Sequence, residues 1–310
     1  MSTSVMRAIR IHDYGGPEAL VLEQAPCPEP QAGEVLVRIL AAGVNPADWK
    51  MRLGMYKAFM PFTFPWTPGL DGAGIVEAVG ANVTGWRSGQ AVYGRIQGSY
   101  AEYAKAPASD LQPKPDILTF EQAASVPVGA LTAWQAVIEI AEVQSGQRIL
   151  VHGAAGGVGN YAVQFAKWRG AHVLGTASAS NLDFVRSLGA EEAIDYNAAP
   201  FETVVRDLDV VIDTVGGDLP ERSLQVIRRG GLLVSAAARM APDFGKDLGV
   251  RTPELGRAGP EKLAQINQLL ESKQIRPAVG KVFALSEAKQ AHELSQTGHG
   301  RGRIILRISE

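Results

Sequence analysis

The segment Ile149-Leu-Val-His-Gly-Ala-Ala-Gly-Gly-Val-Gly159 constrains this 310-residue chain more than any other. It reads as a strand that passes through small residues directly into a helix with Val158, Tyr161, Ala162, Phe165 and Ala166 facing inward. Such a turn lets backbone N–H groups approach a pyrophosphate, which the positive end of the helix dipole also favours. Ala154 stands where the first glycine of G-x-G-x-x-G usually sits, with Gly156 and Gly159 as the other two. A lone glycine-rich turn is often only a tight turn, but here the flanking strand, helix and next strand are all in place. Ala155, Gly156, Gly157 and Val158 are therefore candidate cofactor-binding residues.

The next strand ends in Thr176-Ala-Ser-Ala-Ser-Asn181, and nothing acidic occurs from Asn160 to Leu182. An NAD site would place a carboxylate there for the ribose hydroxyls, whereas hydroxyls and amides accept the extra phosphate of NADP. NADPH is the expected cofactor, with Ser178 and Asn181 as contacts. The alternative is that Ser178, Ser180 and Asn181 only cap the following helix.

The rest of the chain divides by texture. Up to about residue 115, β-branched and alternating runs separated by turns predict strands at Glu34–Val44, Gly74–Val79, Gln90–Ile96 and Tyr100–Ala106. A short helix from Pro46 to Leu53 begins with Asn45 as a possible cap and ends at Gly54. Beyond the Pro-rich joint Gln112–Asp116, strands at Arg148–His152, Ala171–Thr176, Asp209–Asp213 and Leu232–Ala236 alternate with helices at Val158–Trp168, Asn181–Leu188 and Leu219–Arg228. That alternation builds a doubly wound parallel sheet. After a helix from about Pro260 to Lys273, strand texture returns at Ala278–Ala284 and Arg303–Ile308, around a helix at Ser286–Ser295. The expected fold class is α/β, with a Rossmann domain (residues 121–274) inserted into a discontinuous β-rich one (1–120 and 275–310).

Composition removes several function classes. The formal charge is −2, from 30 Lys and Arg against 32 acids, with no long basic run, so no nucleic-acid partner is expected. The longest uncharged stretches, Gln122–Ile138 and Ile149–Ala166, are interrupted by Pro127, His152 and glycines, and no membrane span or signal peptide is read. A cytoplasmic protein is expected. The single cysteine, Cys27, forms no intrachain disulfide and no multi-cysteine zinc site.

Together, Ala42-Gly-Val-Asn-Pro-Ala-Asp-Trp-Lys-Met-Arg-Leu-Gly54, Pro68-Gly-Leu-Asp-Gly-Ala-Gly-Ile-Val76, Leu131-Thr-Ala-Trp134, His152–Gly159, Ala291-His-Glu-Leu294 and Gly302-Arg-Ile-Ile-Leu306 carry a resemblance. The chain resembles, nearly end to end, the zinc-independent quinone oxidoreductase and enone (alkenal) reductase branch of the medium-chain dehydrogenase/reductase superfamily. The resemblance implies that the β-rich domain is GroES-like, that the active site lies in the cleft between domains, and that the protein is a homodimer through a sheet edge near Val250–Leu255. Alcohol dehydrogenase relatives hold catalytic zinc with a cysteine in the segment occupied here by Asn45–Asp48 and a His-Glu pair in the region of Leu70 and Asp71. This chain has neither, and its five histidines, at 12, 152, 172, 292 and 299, show no paired ligand spacing. No metal is expected. Without a Lewis acid, alcohol oxidation loses its main aid, whereas a quinone or enone needs a positioned hydride and modest help for the developing oxyanion.

The resemblance also implies site residues. Asn45 lies by the nicotinamide and substrate, as a carbonyl donor or only a helix cap. Lys50 stands where the enone-reductase-like subgroup has lysine, as a source of charge and proton or merely a solvated side chain. Tyr56 matches a pocket tyrosine or anchors its loop. Thr132 corresponds to a residue near the nicotinamide, or is a helix-start hydroxyl. Val215 and Gly216 pass the nicotinamide ribose, Ala236 and Ala237 end the next strand at the same edge, and Tyr196 contacts the adenosine phosphate or only packs. Arg303 replaces the usual lysine of its motif, with no role assigned, and Asp71 is expected to be a paired structural acid between domains. The Met55–Trp66 stretch, with Tyr56, Phe59, Phe62, Phe64 and Trp66, is expected to be an apolar wall, a lid or packed loop.

Other classes fit less well. No tyrosine has lysine four residues later, as a short-chain dehydrogenase requires, and no G-x-S-x-G elbow is present. The remaining rival is a non-catalytic NADPH-binding protein with a structural, regulatory or RNA-binding role. The expected activity is NADPH-dependent hydride transfer to a small-molecule quinone or α,β-unsaturated carbonyl.

Overall fold

The alternating run Glu-Val-Leu-Val-Arg-Ile-Leu-Ala-Ala-Gly-Val organises the first layer of a computed structural model that describes residues 5–256 and 258–309. It forms the 11-residue strand β3 (Glu34–Val44), preceded by the antiparallel pair β1 (Val5–Arg10) and β2 (Val21–Pro26). Helix α1 (Pro46–Arg52) follows, and Gly54, at φ +74° against the Tyr14 ring, ends it where a side chain is excluded. Strands β4 (Asp71–Val79), β5 (Ala91–Arg95), β6 (Tyr103–Pro107) and β7 (Leu111–Pro113) complete the N-terminal part. Helices α2 (Phe120–Ala124) and α3 (Pro127–Trp134), the latter extended by a π-helical stretch at Gln135–Ile140, lead into the second layer.

That layer runs β8 (Arg148–His152), α4 (Gly159–Trp168), β9 (His172–Ala177), α5 (Leu182–Ser187), β10 (Glu192–Asp195), β11 (Leu208–Asp213), α6 (Leu219–Ser223), β12 (Ile227–Ser235) and α7 (Lys262–Glu271). The chain then returns through β13 (Val279–Ala284), α8 (Ala288–Gln296) and β14 (Arg303–Arg307). Two sheets result. One is parallel, in the order β10-β9-β8-β11-β12. The other, mostly antiparallel, has the order β13-β14-β3-β4-β5-β7, with β6 also paired to β3. The C-terminal strands thus join the N-terminal sheet, as the return of strand texture suggests. Arg251 bridges the outer side of β12 through Leu232, so the segment expected at an exposed edge does lie beside the edge strand.

Helix α4 is buried on nearly every side, from Gly159 to Ala166, between β8, β9 and α3. Phe165 has no exposed surface, and a fully buried side chain of that size contributes about 2–3 kcal/mol. Val158, expected on the inward face, is only partly buried.

The helix expected over Leu219–Arg228 is a correction: α6 stops at Ser223, and β12 begins at Ile227. Val226 and Ile227 are buried against Leu208 and Val211, and the Leu208 N–H donates to the Val226 carbonyl, so burial draws these residues into the sheet. The hairpin β1–β2, helices α2 and α3, and strand β10 add to the expected elements.

Candidate active site

The glycine turn between β8 and α4 is open toward the C-terminal edge of the parallel sheet, where ligands of such sheets bind. Its shape is enforced from below. A Cβ on Gly159 would lie 2.1 Å from the Gly153 carbonyl oxygen, and one on Gly157 would lie 2.6 Å from Arg303 Cδ. A Cβ on Gly156 would meet only the Gly153 oxygen, at 3.2 Å. The Asn160 amide donates to the carbonyls of Gly156 and Gly157 at 2.7 and 3.1 Å, pinning them toward the helix. Among the described residues, the N–H groups of Ala155, Gly157 and Val158 find no acceptor. Three free amides at the start of a ten-residue helix, with no side chains at 156 and 157 to cover them, form a cradle that fits a pyrophosphate.

Beneath the turn, His152 is buried between Thr176 Oγ1 at 3.2 Å and Ser223 Oγ at 3.0 Å. Ser223 donates to the Leu219 carbonyl, so it accepts from His152 Nε2–H; Thr176 accepts the Gly153 N–H and donates to Nδ1. Burial lowers this imidazole to about 4, and the ring is neutral packing.

Along the same edge, Asp213 Oδ1 accepts the N–H groups of Val215 and Gly216, both at 2.9 Å, while Oδ2 accepts the Ser235 hydroxyl at 2.6 Å. Ser235 Oγ in turn accepts the Ala237 and Ala238 N–H groups, and the Ala236 N–H donates to the Asp213 carbonyl. The buried pair Asp213–Ser235 therefore brings together the expected residues Val215, Gly216, Ala236 and Ala237. Sequence reasoning missed this pair; a polar residue closing each of two apolar strands was the available signal. Ser178 follows β9, and its Oγ accepts from the Asn181 amide at 3.0 Å. Neither side chain makes a helix-capping bond, so the capping alternative is not realised. Tyr196 follows the neighbouring strand β10, with its N–H on the Ala177 carbonyl and its side chain exposed.

The opposite wall is built on α1. Asn45 is buried, its amide donating to Asp71 Oδ2 at 3.0 Å and its carbonyl accepting from Arg303 at 2.6 Å. The cap is supplied instead by Asp48, whose carboxyl accepts the Asn45 N–H at 2.7 Å. Arg303 also reaches Asp71 at 2.5 Å, and the Val128 N–H, at the start of α3, donates to the other Asp71 oxygen at 2.9 Å. Asp71 is thus the expected paired acid at the junction of the sheets, and its partner is Arg303. Burial pushes the Asp71 carboxyl up, opposed by Arg303, Asn45 and Val128; beside an always-charged guanidinium we read it as the carboxylate. Arg303 packs against Gly157, and the Gly302 N–H donates to the Ala155 carbonyl at 2.8 Å, so one dipeptide joins the cradle to the Asn45 centre.

Asp48 is fully buried, and that burial, reinforced by the nearby Asp71 charge, raises its carboxyl to about 7. Tyr100 donates to it at 3.2 Å and faces His292 Nε2 at 3.3 Å; burial lowers His292 to about 3.

Lys50 and Tyr56 stand apart from this network. Lys50 is half-buried, 5.6 Å from the Trp49 ring centroid, with no ion pair among the described residues. Tyr56 is half-buried against Phe59, at 5.5 Å between ring centroids, and partial burial raises its hydroxyl. The loop beyond divides in two. Phe62 stacks on Trp66 at 4.2 Å and Phe64 meets Tyr14 at 5.0 Å, forming a packed base, whereas Met55, Phe59 and Met60 are exposed, Phe59 by 75%. Thr132 is mid-helix in α3, not at a helix start, and half-buried.

The residues present do not fit zinc. Asn45, Leu70 and Asp71 occupy the metal-ligand region, the Asp71 oxygens are held by three donors, and no cluster of His, Cys, Asp and Glu converges among the described residues.

Residues 31–116 match the family model of the alcohol dehydrogenase GroES-like domain, and 188–306 match that of zinc-binding dehydrogenase. The quinone oxidoreductase of Mus musculus is 33% identical, over 97% of this chain and 98% of its own. The NADPH-dependent alkenal/one oxidoreductase of Arabidopsis thaliana, a chloroplast protein, is also 33% identical, over 97% of this chain and 79% of its own. The solved quinone oxidoreductase from Coxiella burnetii superposes with a TM-score of 0.91 at 34% identity, covering 99% of this chain and 100% of the other. The two layers are thus a GroES-like and a Rossmann-like domain.

Proposed function

Because this chain belongs to the quinone oxidoreductase and enone reductase branch of the medium-chain dehydrogenase/reductase superfamily, and so is an oxidoreductase, we propose that it binds NADPH between its two layers and passes hydride to a quinone or an α,β-unsaturated carbonyl. One observation carries the reading: the cradle of three free amides is fastened through Gly302 and Arg303 to the wall that bears Asn45 and Lys50. Cofactor and acceptor sites are thereby held in one frame, as transfer between them requires.

The proposed boundaries are 1–120 with 275–310 for the GroES-like domain and 121–274 for the Rossmann domain. NADPH over NADH is supported by Ser178 and Asn181, which lie where an NAD site places an acid, and by the cofactor named for the Arabidopsis thaliana relative. Nicotinamide, when bound, supplies the hydride. Ala155, Gly156, Gly157 and Val158 hold the pyrophosphate, the loops braced by Asp213 and Ser235 flank the nicotinamide ribose with Thr132 beside them, and Tyr196 lies on the adenosine side. Asn45 keeps its second amide hydrogen for a substrate carbonyl, the first being committed to Asp71. Lys50 Nζ holds a proton and a positive charge for the oxygen that gains electron density. Tyr56 and Phe59 offer a flat apolar surface for the acceptor. We propose that the reaction is zinc-independent. We also propose a homodimer through the edge near Val250–Leu255; sedimentation at the mass of one 33.0 kDa chain contradicts it.

The test is NADPH consumption with an ortho-quinone and with a simple enone, run beside NADH. Turnover of either acceptor with a lower KM for NADPH supports the reading. A preference for NADH overturns the cofactor assignment, and NADPH binding without turnover of either acceptor overturns the enzymatic one.

A further inference from the structure

A dinucleotide brings several negative charges, yet the cradle offers amides alone and Ser178, Ser180 and Asn181 are neutral. Within 160–182 the only basic side chains except His172 are Lys167 and Arg169. Both lie at the far end of α4, where Lys167 is paired with Glu191 and Arg169 donates to the Val143 carbonyl. His172 begins β9, at the opposite end of the strand from Ser178.

A cation reaches this region from the other sheet. Arg301 precedes Gly302, whose N–H is fixed on the Ala155 carbonyl of the glycine turn at 2.8 Å. The Arg301 guanidinium carbon lies 4.9 Å from the centroid of the Phe184 ring. Phe184 is three residues beyond Asn181, which places the two on neighbouring positions of one helical face. Arg301 thus spans from the turn toward the segment that follows Ser178. It is exposed, and among the described residues its guanidinium has no hydrogen bond and no acidic partner, so its five N–H donors are available. The aromatic face steadies the cation without neutralising it.

We propose that Arg301 is a cofactor-binding residue, its guanidinium taking a phosphate of the dinucleotide from the GroES-like side of the cleft. The proposal rests on the dinucleotide reading given above. The phosphate is either the 2′-phosphate peculiar to NADPH or the pyrophosphate common to NADPH and NADH, and a guanidinium suits both. In either case the bound dinucleotide is clamped between amides of one domain and a cation of the other.

Dissociation constants for NADPH and NADH, measured by calorimetry on the wild type, Arg301→Gln and Arg301→Lys, test this directly. Arg301→Gln is expected to weaken NADPH binding by about tenfold, the loss of one charge-assisted contact, with Arg301→Lys losing less. If the contact is to the 2′-phosphate, NADH affinity stays unchanged; if it is to the pyrophosphate, both dinucleotides weaken alike. Wild-type affinity for both in Arg301→Gln overturns the proposal. A wild-type protein that binds neither dinucleotide overturns the cofactor reading instead, so the two failures are distinguishable.

Discussion

Replacing Arg303 with methionine is expected to strand the Asp71 carboxylate in the interior. In the native structure that carboxylate has Arg303 at 2.5 Å, Asn45 at 3.0 Å and the Val128 N–H at 2.9 Å, and neither charged side chain is more than 3% exposed. Arg303→Met leaves two neutral donors on a buried charge, and breaking a buried pair in this way costs about 3–5 kcal/mol. That is a large share of the roughly 5–15 kcal/mol that keeps a domain folded. The double variant Arg303→Met/Asp71→Asn removes both charges, and its amide still accepts from Val128; we expect it to recover to within about 2 kcal/mol of wild type. Urea unfolding followed by both far-ultraviolet circular dichroism and tryptophan fluorescence measures this, two probes being needed because the two domains can unfold separately. The reasoning is refuted if Arg303→Met lies within about 1 kcal/mol of wild type, or if the double variant loses the sum of the two single losses.

Three further outcomes are expected. Asp48 keeps its proton in the folded state up to about pH 7 but loses it near 4 when unfolded, so the proton bound only by the native state makes stability fall as pH rises from about 4 to about 7 and level off above. Asp48→Asn removes that slope, and its stability relative to wild type should be about 2–3 kcal/mol higher at pH 8 than at pH 5, measured by urea titration at both; an unchanged difference counts against the buried acid. Lys50→Ala should lower kcat/KM by about 100-fold or more and Tyr56→Phe by a few-fold, through KM; near wild-type values remove either from the mechanism. Gly157→Ala drives a methyl group to 2.6 Å from Arg303 Cδ, so it should cost about 1–3 kcal/mol and weaken NADPH binding; stability and affinity equal to wild type would show that the cradle yields.

Local signals explain why some parts were legible from residues alone. The bounds of β3 and β8 coincide with expectation, because residues 35–40 and 149–151 are dense in apolar, largely β-branched side chains. Gly156 and Gly159 announce the turn because only small residues fit where a carbonyl lies this close. Helix α6 stops short of Arg228 because the β-branched pair Val226-Ile227 favours extended structure; a pair is too short a run to mark a strand by itself, and it is burial with Leu208 and Val211 that starts β12 there. The partnership of Arg303 with Asp71 spans 232 residues, so no spacing rule reports it. Asp48 lay in plain view three residues after Asn45, an acid in the first turn of a helix, which signals a capping box. Its complete burial does not follow from that signal, since its partner Tyr100, 52 residues away, is in turn held by His292 of α8.

The central claim is hydride transfer from bound NADPH to an activated acceptor. Single-turnover mixing of the NADPH-loaded protein with an ortho-quinone or an enone, monitored by nicotinamide absorbance and repeated with NADPH deuterated at the transferring position, tests it most directly. Rapid loss of the absorbance with at least one acceptor, slowed by deuterium, is the predicted result. Absorbance that persists with both acceptors while the cofactor remains bound would contradict it.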